Sequence, residues 1–217
     1  MGRFWKDNSL SIVLLALFLA FWVGQALTGW RQAGEERREH GAPAEPLSEY
    51  LASGDFWEAS AENWESEFLQ MAAFVLLTVF LKQKGSPESK PPDGDPDLDR
   101  DPSPRPGAPW PVRRGGVALR VYQRSLFLAL FGLFLVSFAV HAAAGARAYS
   151  EEALRHGGAP VGALAYLGTS RFWFESFQNW QSEFLSVGML VLLGVWLRQR
   201  GSPESKPVDA PHAENEA

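Results

Sequence analysis

Eighteen consecutive residues without a formal charge, LSIVLLALFLAFWVGQAL at 10–27, constrain this chain more than any other feature. A second run, LFLALFGLFLVSFAVHAAA at 126–144, is 19 residues long and is interrupted only by His141. Each meets the requirement of roughly 18–20 apolar residues for a helix that spans the hydrocarbon of a bilayer. Two shorter runs, 68–81 and 184–197, hold 14 residues each. Extended backward through Trp64 and Trp180 they reach spanning length, with an indole at the membrane interface. The mean hydropathy of −0.13 conceals these runs, because the polar residues are gathered between them.

Arg3 and Lys6 ahead of the first run suit a cleaved signal peptide, but no small-x-small cleavage site follows and the pattern returns in mid-chain. A water-soluble four-helix bundle needs a polar face on each helix, and uninterrupted aromatic and aliphatic runs leave none. The 217 residues include no cysteine, which excludes disulfides, thiolate metal sites and cysteine nucleophiles. A net charge of −5 gives no basic footprint for nucleic acid, and none is expected as a partner.

Sliding the chain against itself by 116 positions aligns residues 9–90 with 125–206 without a gap, and 36 of the 82 pairs are identical. Such self-similarity marks two copies of one unit. Each copy reads as a span, a polar loop, an amphipathic lead-in, a second span and then GSPESK. Lysine and arginine number 2 before the first run, 9 between residues 82 and 124, and 3 after the fourth run. The two intervening loops hold 3 each, so both termini are expected on the cytoplasmic side. Copies that each cross twice are related by an axis along the membrane normal.

The expected architecture is all-α: four transmembrane helices in two tandem hairpins, with interfacial amphipathic helices. Residues 1–84 form the first two-span repeat and 117–200 the second. Residues 85–116, rich in proline and aspartate, form a disordered cytoplasmic linker, and 201–217 a disordered tail. Asp93, Asp95, Asp97, Asp99 and Asp101 invite a calcium loop, yet Leu98 and Pro104 stand where an EF-hand needs glycine and glutamate.

Four constellations are candidates for function. Ahead of the second and fourth runs, Phe56, Ser60, Asn63 and Glu67, each identical 116 positions later, fall within about 60° on a helical wheel. Facing stripes would bring Asn63 to Asn179 and Glu67 to Glu183, where two carboxylates in a dry site share a proton or bind a cation. The alternative is that Glu67 and Glu183 satisfy helix N-terminal amides or face headgroup water. Glu36 with His40, and Glu152 with His156, stand four apart and suit a shared metal, or else a solvated helix end stopped by glycine. Gln25 and His141 occupy equivalent positions near the outer ends of the long runs, suited to an interhelical hydrogen bond rather than a proton relay. Finally, Gly85, Ser86, Pro87, Glu88, Ser89 and Lys90 recur intact as Gly201, Ser202, Pro203, Glu204, Ser205 and Lys206. Glycine and serine-proline explain a helix stop; six identical residues suggest a cytoplasmic docking motif or a modified serine.

The strings NSLSIVLLALF with GQALTGW, EYLASGDFWEASAENWESEFLQMAAFVLLTVF and GSPESK resemble a family of uncharacterised bacterial integral membrane proteins that share a domain of unknown function. The resemblance covers both repeats and implies a bacterial inner-membrane location, but no activity or cofactor. HAAAGA at 141–146 departs from the QALTGW of the first copy. The reading that follows is a non-enzymatic membrane scaffold or accessory subunit, partnered by the lipid bilayer and by another membrane protein or a second copy. A small transporter or channel with a site between the repeats is the alternative. A membrane enzyme ranks third, since no nucleophile and base pair is evident, and no cofactor is expected.

Overall fold

The computed structural model describes residues 2–214. Its regular elements are helices, with no strand among the described residues. The order is α1 (Arg3–Glu39), α2 (Leu47–Tyr50), α3 (Gly54–Phe80), α4 (Pro96–Asp99), α5 (Trp110–Arg114), α6 (Gly116–Tyr122), α7 (Ser125–Arg155), α8 (Ala163–Tyr166) and α9 (Ser170–Leu193). Two of these, α1 and α7, are long and apolar enough to cross a membrane. The expected lead-ins are not separate elements: α3 and α9 run without a break from their polar first turns into their apolar halves. No proline or positive-φ residue interrupts either one.

Local chemistry explains where the elements stop. Gly41 at φ 73° follows α1, and Ala42 N donates to Arg37 O at 2.8 Å. Gly157 at φ 78° follows α7, and Gly158 N donates to Ala153 O at 2.7 Å. This is the left-handed glycine closure that satisfies the last carbonyls of a helix. The element ends recur at the 116-residue interval: Glu39 and Arg155 close α1 and α7, and Tyr50 and Tyr166 close α2 and α8.

The stretch expected to be disordered, 85–116, contains α4, α5 and the first residue of α6. Asp95 starts α4 by accepting from Asp97 N and Leu98 N at 2.8 and 3.1 Å, with proline in the first turn. In the expected tail, the wholly buried Lys206 donates from Nζ to the carbonyls of Pro211, His212 and Glu214 at 3.0–3.1 Å. Residues 215–217 of that tail lie outside the described residues.

The chain divides into two compact units. The first comprises Met1–Ser60 and Val140–Thr169. In it Trp22 meets Phe56 and Trp57 at centroid distances of 5.9 and 6.3 Å, and Tyr50 meets Phe56 at 5.7 Å. Such edge and tilted aromatic pairs contribute roughly 0.5–1.5 kcal/mol each beyond burial. Gly54 lies against the α7 backbone at Ala144 O and Ala148 N, an approach that a side chain there would block. Ala142, Ala144, Ala146 and Ala148 are all buried, so α7 packs here through small residues.

The second unit comprises Ala61–Ala139 and Ser170–Ala217. Phe127, Phe131, Phe134 and Phe138 stack down one face of α7 at 5.5–5.8 Å, as their spacing of four, three and four requires. Phe138 meets Phe172 edge-on at 5.2 Å, and Phe134 meets Trp180 at 6.4 Å.

Candidate functional site

A polar cluster is buried in the first unit, on α3, α7 and α8. Glu58 sits in the second turn of α3, which Ser53 starts by accepting from Phe56 N at 3.2 Å. Its Oε1 accepts a 2.8 Å hydrogen bond from Tyr166 Oη. A ring nitrogen of His141, on α7, comes within 4.8 Å of a Glu58 carboxylate oxygen. Glu58 is 7% exposed, and His141 and Tyr166 are not exposed at all. One turn beyond His141, Gly145 makes the arrangement sterically possible: a side-chain carbon there would meet both the Tyr166 ring and Glu58 Oε1.

A carboxylate beside an imidazolium and a carboxylic acid beside a neutral imidazole carry the same total charge. A proton passed between Glu58 and His141 therefore places no net charge in a low-dielectric interior, where an isolated one is costly. Tyr166 adds a hydroxyl that donates to the acid and so orients it. The arrangement gathers a carboxyl, an imidazole and a phenol hydroxyl away from water.

The sequence-derived candidates are placed as follows. Asn63 and Glu67 are exposed, and Asn179 and Glu183 half-buried. The carboxylates of Glu67 and Glu183 lie close enough for their charges to interact. The main-chain carbonyl of each asparagine accepts from its own helix, from Ser66 Oγ at 2.8 Å and from Ser182 Oγ at 2.9 Å. The buried polar residues of this part of α3 are Glu65, Ser66 and Gln70 instead, with Glu65 Oε1 accepting from Trp180 Nε1 at 3.0 Å. Glu36, His40, Glu152 and His156 are exposed. His40 Nδ1 meets the Glu36 carbonyl at 2.8 Å, and His156 Nδ1 that of Glu152 at 3.0 Å. No grouping of three metal-capable side chains among the described residues includes any of these four. Gln25 Nε2 and Trp22 Nε1 both donate to Ser60 Oγ, at 3.4 and 3.1 Å.

The GSPESK stretches adopt one and the same turn. Gly85 and Gly201 have φ of 85° and 84°. Ser86 Oγ accepts from Glu88 N, and Ser202 Oγ from Glu204 N, both at 3.2 Å. Ser89 Oγ closes the first turn on Gln83 N at 2.7 Å, and Ser205 Oγ the second on Gln199 N at 2.9 Å. Every serine hydroxyl of the motif is thus engaged with the backbone. The carboxyls of Glu88 and Glu204 hydrogen-bond each other. Burial, that hydrogen bond and the neighbouring charge push Glu88 up to about 7.

A family model described as a domain of unknown function (DUF6766) matches residues 1–217. The chain belongs to this family. No curated protein and no solved structure matches it.

In this DUF6766 chain the buried acid and base lie where the 116-residue alignment pairs unlike residues. Glu58 aligns with Phe174, and His141 with Gln25. A search for repeated identities therefore passes over them, since an acid–base pair needs two different residues. The available signal was a glutamate and a histidine, each without a charged counterpart, beside apolar sequence that gives a charge no water. Gly145 and Tyr166 do recur, as Gly29 and Tyr50, and Tyr50 Oη likewise lies where a Gly29 side chain would be.

Proposed function

We propose that this DUF6766 protein is a multi-pass membrane protein that exchanges protons through Glu58, His141 and Tyr166. The observation that carries the reading is the acid–base pair buried among apolar helices, because an ionisable residue inside a membrane bundle is costly unless it works. The proposed topology has four spans, α1, α3, α7 and α9, arranged as two copies of one hairpin with both termini in the bacterial cytoplasm. The 36 identical pairs support the duplication, and the 9 basic residues between 82 and 124 support the orientation. Glu58 then lies near the outer end of α3, and His141 near the outer end of the apolar run of α7. On this reading the protein is a small proton transporter.

Purified protein in liposomes, with a pH-sensitive dye enclosed, tests this. An imposed pH gradient should collapse faster than in protein-free vesicles. Glu58→Gln should slow the collapse by about 10²-fold, the scale of a lost proton-transfer group. Tyr166→Phe should slow it less. Equal rates with and without protein, or full activity in a folded Glu58→Gln variant, would remove the reading.

A second reading, an accessory subunit or homodimer, is favoured by α1. None of its most apolar window is buried within the chain, although the helix runs for 37 residues. A helix that meets α3 through the Trp22–Gln25 turn leaves the rest of its apolar surface for lateral association with another membrane helix.

A further inference from the structure

We propose that residues 110–124 form a binding surface for anionic phospholipid headgroups. The inference rests on the reading that α7 crosses a bilayer, since α5 and α6 lead directly into it. Arg113, Arg114, Arg120 and Arg124 are all exposed, and no acidic residue occurs between Asp101 and Glu151 to offset them. Interleaved with them are apolar side chains that water does not favour: Trp110 is 56% exposed, Val117 68% and Val121 53%. In α6, Val117 and Val121 stand one turn apart with Arg120 beside them, Ala118 and Leu119 are half-buried, and Arg124 follows in the turn before α7. The Arg114 guanidinium lies 5.0 Å from the centre of the Trp110 ring. Asp97 lines the groove beside Val112 and Tyr122, but Arg100 and Arg105 line it too, so the local balance stays basic.

Valine and tryptophan tips beside guanidiniums match one kind of partner. At the headgroup layer of an anionic leaflet, the apolar tips reach the acyl boundary while arginine meets phosphate. A nucleic acid offers the phosphates without the apolar layer, and a free phosphate leaves the valines in water. Each arginine near such a surface contributes attraction that salt screens.

The test is hydrogen exchange on the full chain, in nanodiscs of phosphatidylcholine alone and in discs enriched in phosphatidylglycerol. The amides of 110–124 should exchange about tenfold more slowly in the anionic discs, and high salt should erase the difference. Combined replacement of the four arginines by glutamine should erase it as well, and the salt series on the unaltered chain stands if that variant fails to fold. Slow exchange in α7 with identical exchange of 110–124 in both lipids would sink the lipid surface alone. Fast exchange throughout α7 would overturn the membrane reading and this surface together. Protection that appears only on adding a soluble protein would also overturn it, in favour of a protein partner.

Discussion

At the scale of single residues, two glycines set how closely the tyrosines of the short helices approach the long ones. Tyr166 reaches Glu58 only because Gly145 has no side chain. Gly145→Ala should therefore destabilise the protein by about 1–3 kcal/mol through overpacking. Gly132, on the same helix, has nothing within 4 Å of where a Cβ would stand. Gly132→Ala should instead gain roughly 0.5–1 kcal/mol of helix propensity. Thermal unfolding of the two variants in one detergent separates them, and a loss of stability in both would remove the packing explanation. The glycine and tyrosine identities were visible in the sequence, but not that each glycine serves a tyrosine 21 residues later.

At the scale of elements, the repeated turn accounts for a motif that a helix stop left half explained. Gln83 N and Gln199 N each find a serine hydroxyl six residues on, so Ser89→Ala or Ser205→Ala should cost about 1 kcal/mol. The Glu88–Glu204 pair adds a pH dependence. The folded pKa of Glu88, about 7, is above its ordinary 4.5, so folding favours the protonated acid. This contribution is complete below pH 4.5 and is lost as the pH rises through about 7. Because the group is partly exposed, the effect is on the order of 1 kcal/mol after screening. Unfolding followed from pH 5 to 8 should show falling stability, and Glu88→Gln should flatten the curve. A profile equally steep in that variant would assign the dependence to other groups. The glycine stops after α1 and α7 were legible because left-handed closure is a local property. The face that α3 buries was not: the wheel favours Asn63 and Glu67, while Glu65, Ser66 and Gln70 are covered. Which face turns inward depends on the neighbouring helices and not on the helix itself.

At the scale of the whole molecule, the number of crossings has a direct test, since the chain has no native cysteine. Four spans place Ser103 in the cytoplasm, whereas crossings by α1 and α7 alone place it outside. A cysteine at Ser103 should resist a membrane-impermeant maleimide in intact cells, while one at Ala42 should react. Labelling of both from outside would reduce the count to two. If α1 associates with a second copy, single cysteines along residues 13–24 should cross-link with a helical period. Cross-linking with no period, or none at all, would leave α1 facing lipid.

Sequence alone determined the helical class, the two long apolar helices, the 116-residue correspondence and the helix stops, because each depends on composition, spacing or a glycine's own freedom. It did not determine which ionisable groups leave water. Glu67 and Glu183 stood out by repetition, yet the buried ionisable groups include Glu65, His141, Lys206 and Glu58 instead. Burial of a charge is decided by what surrounds it, and Glu58 is held by Tyr166, 108 positions away. The same holds for Glu88 and Glu204, 116 positions apart, whose shared hydrogen bond exists only once the two turns are brought together. Contacts over such separations follow from how helices pack, and only the tertiary structure could show them.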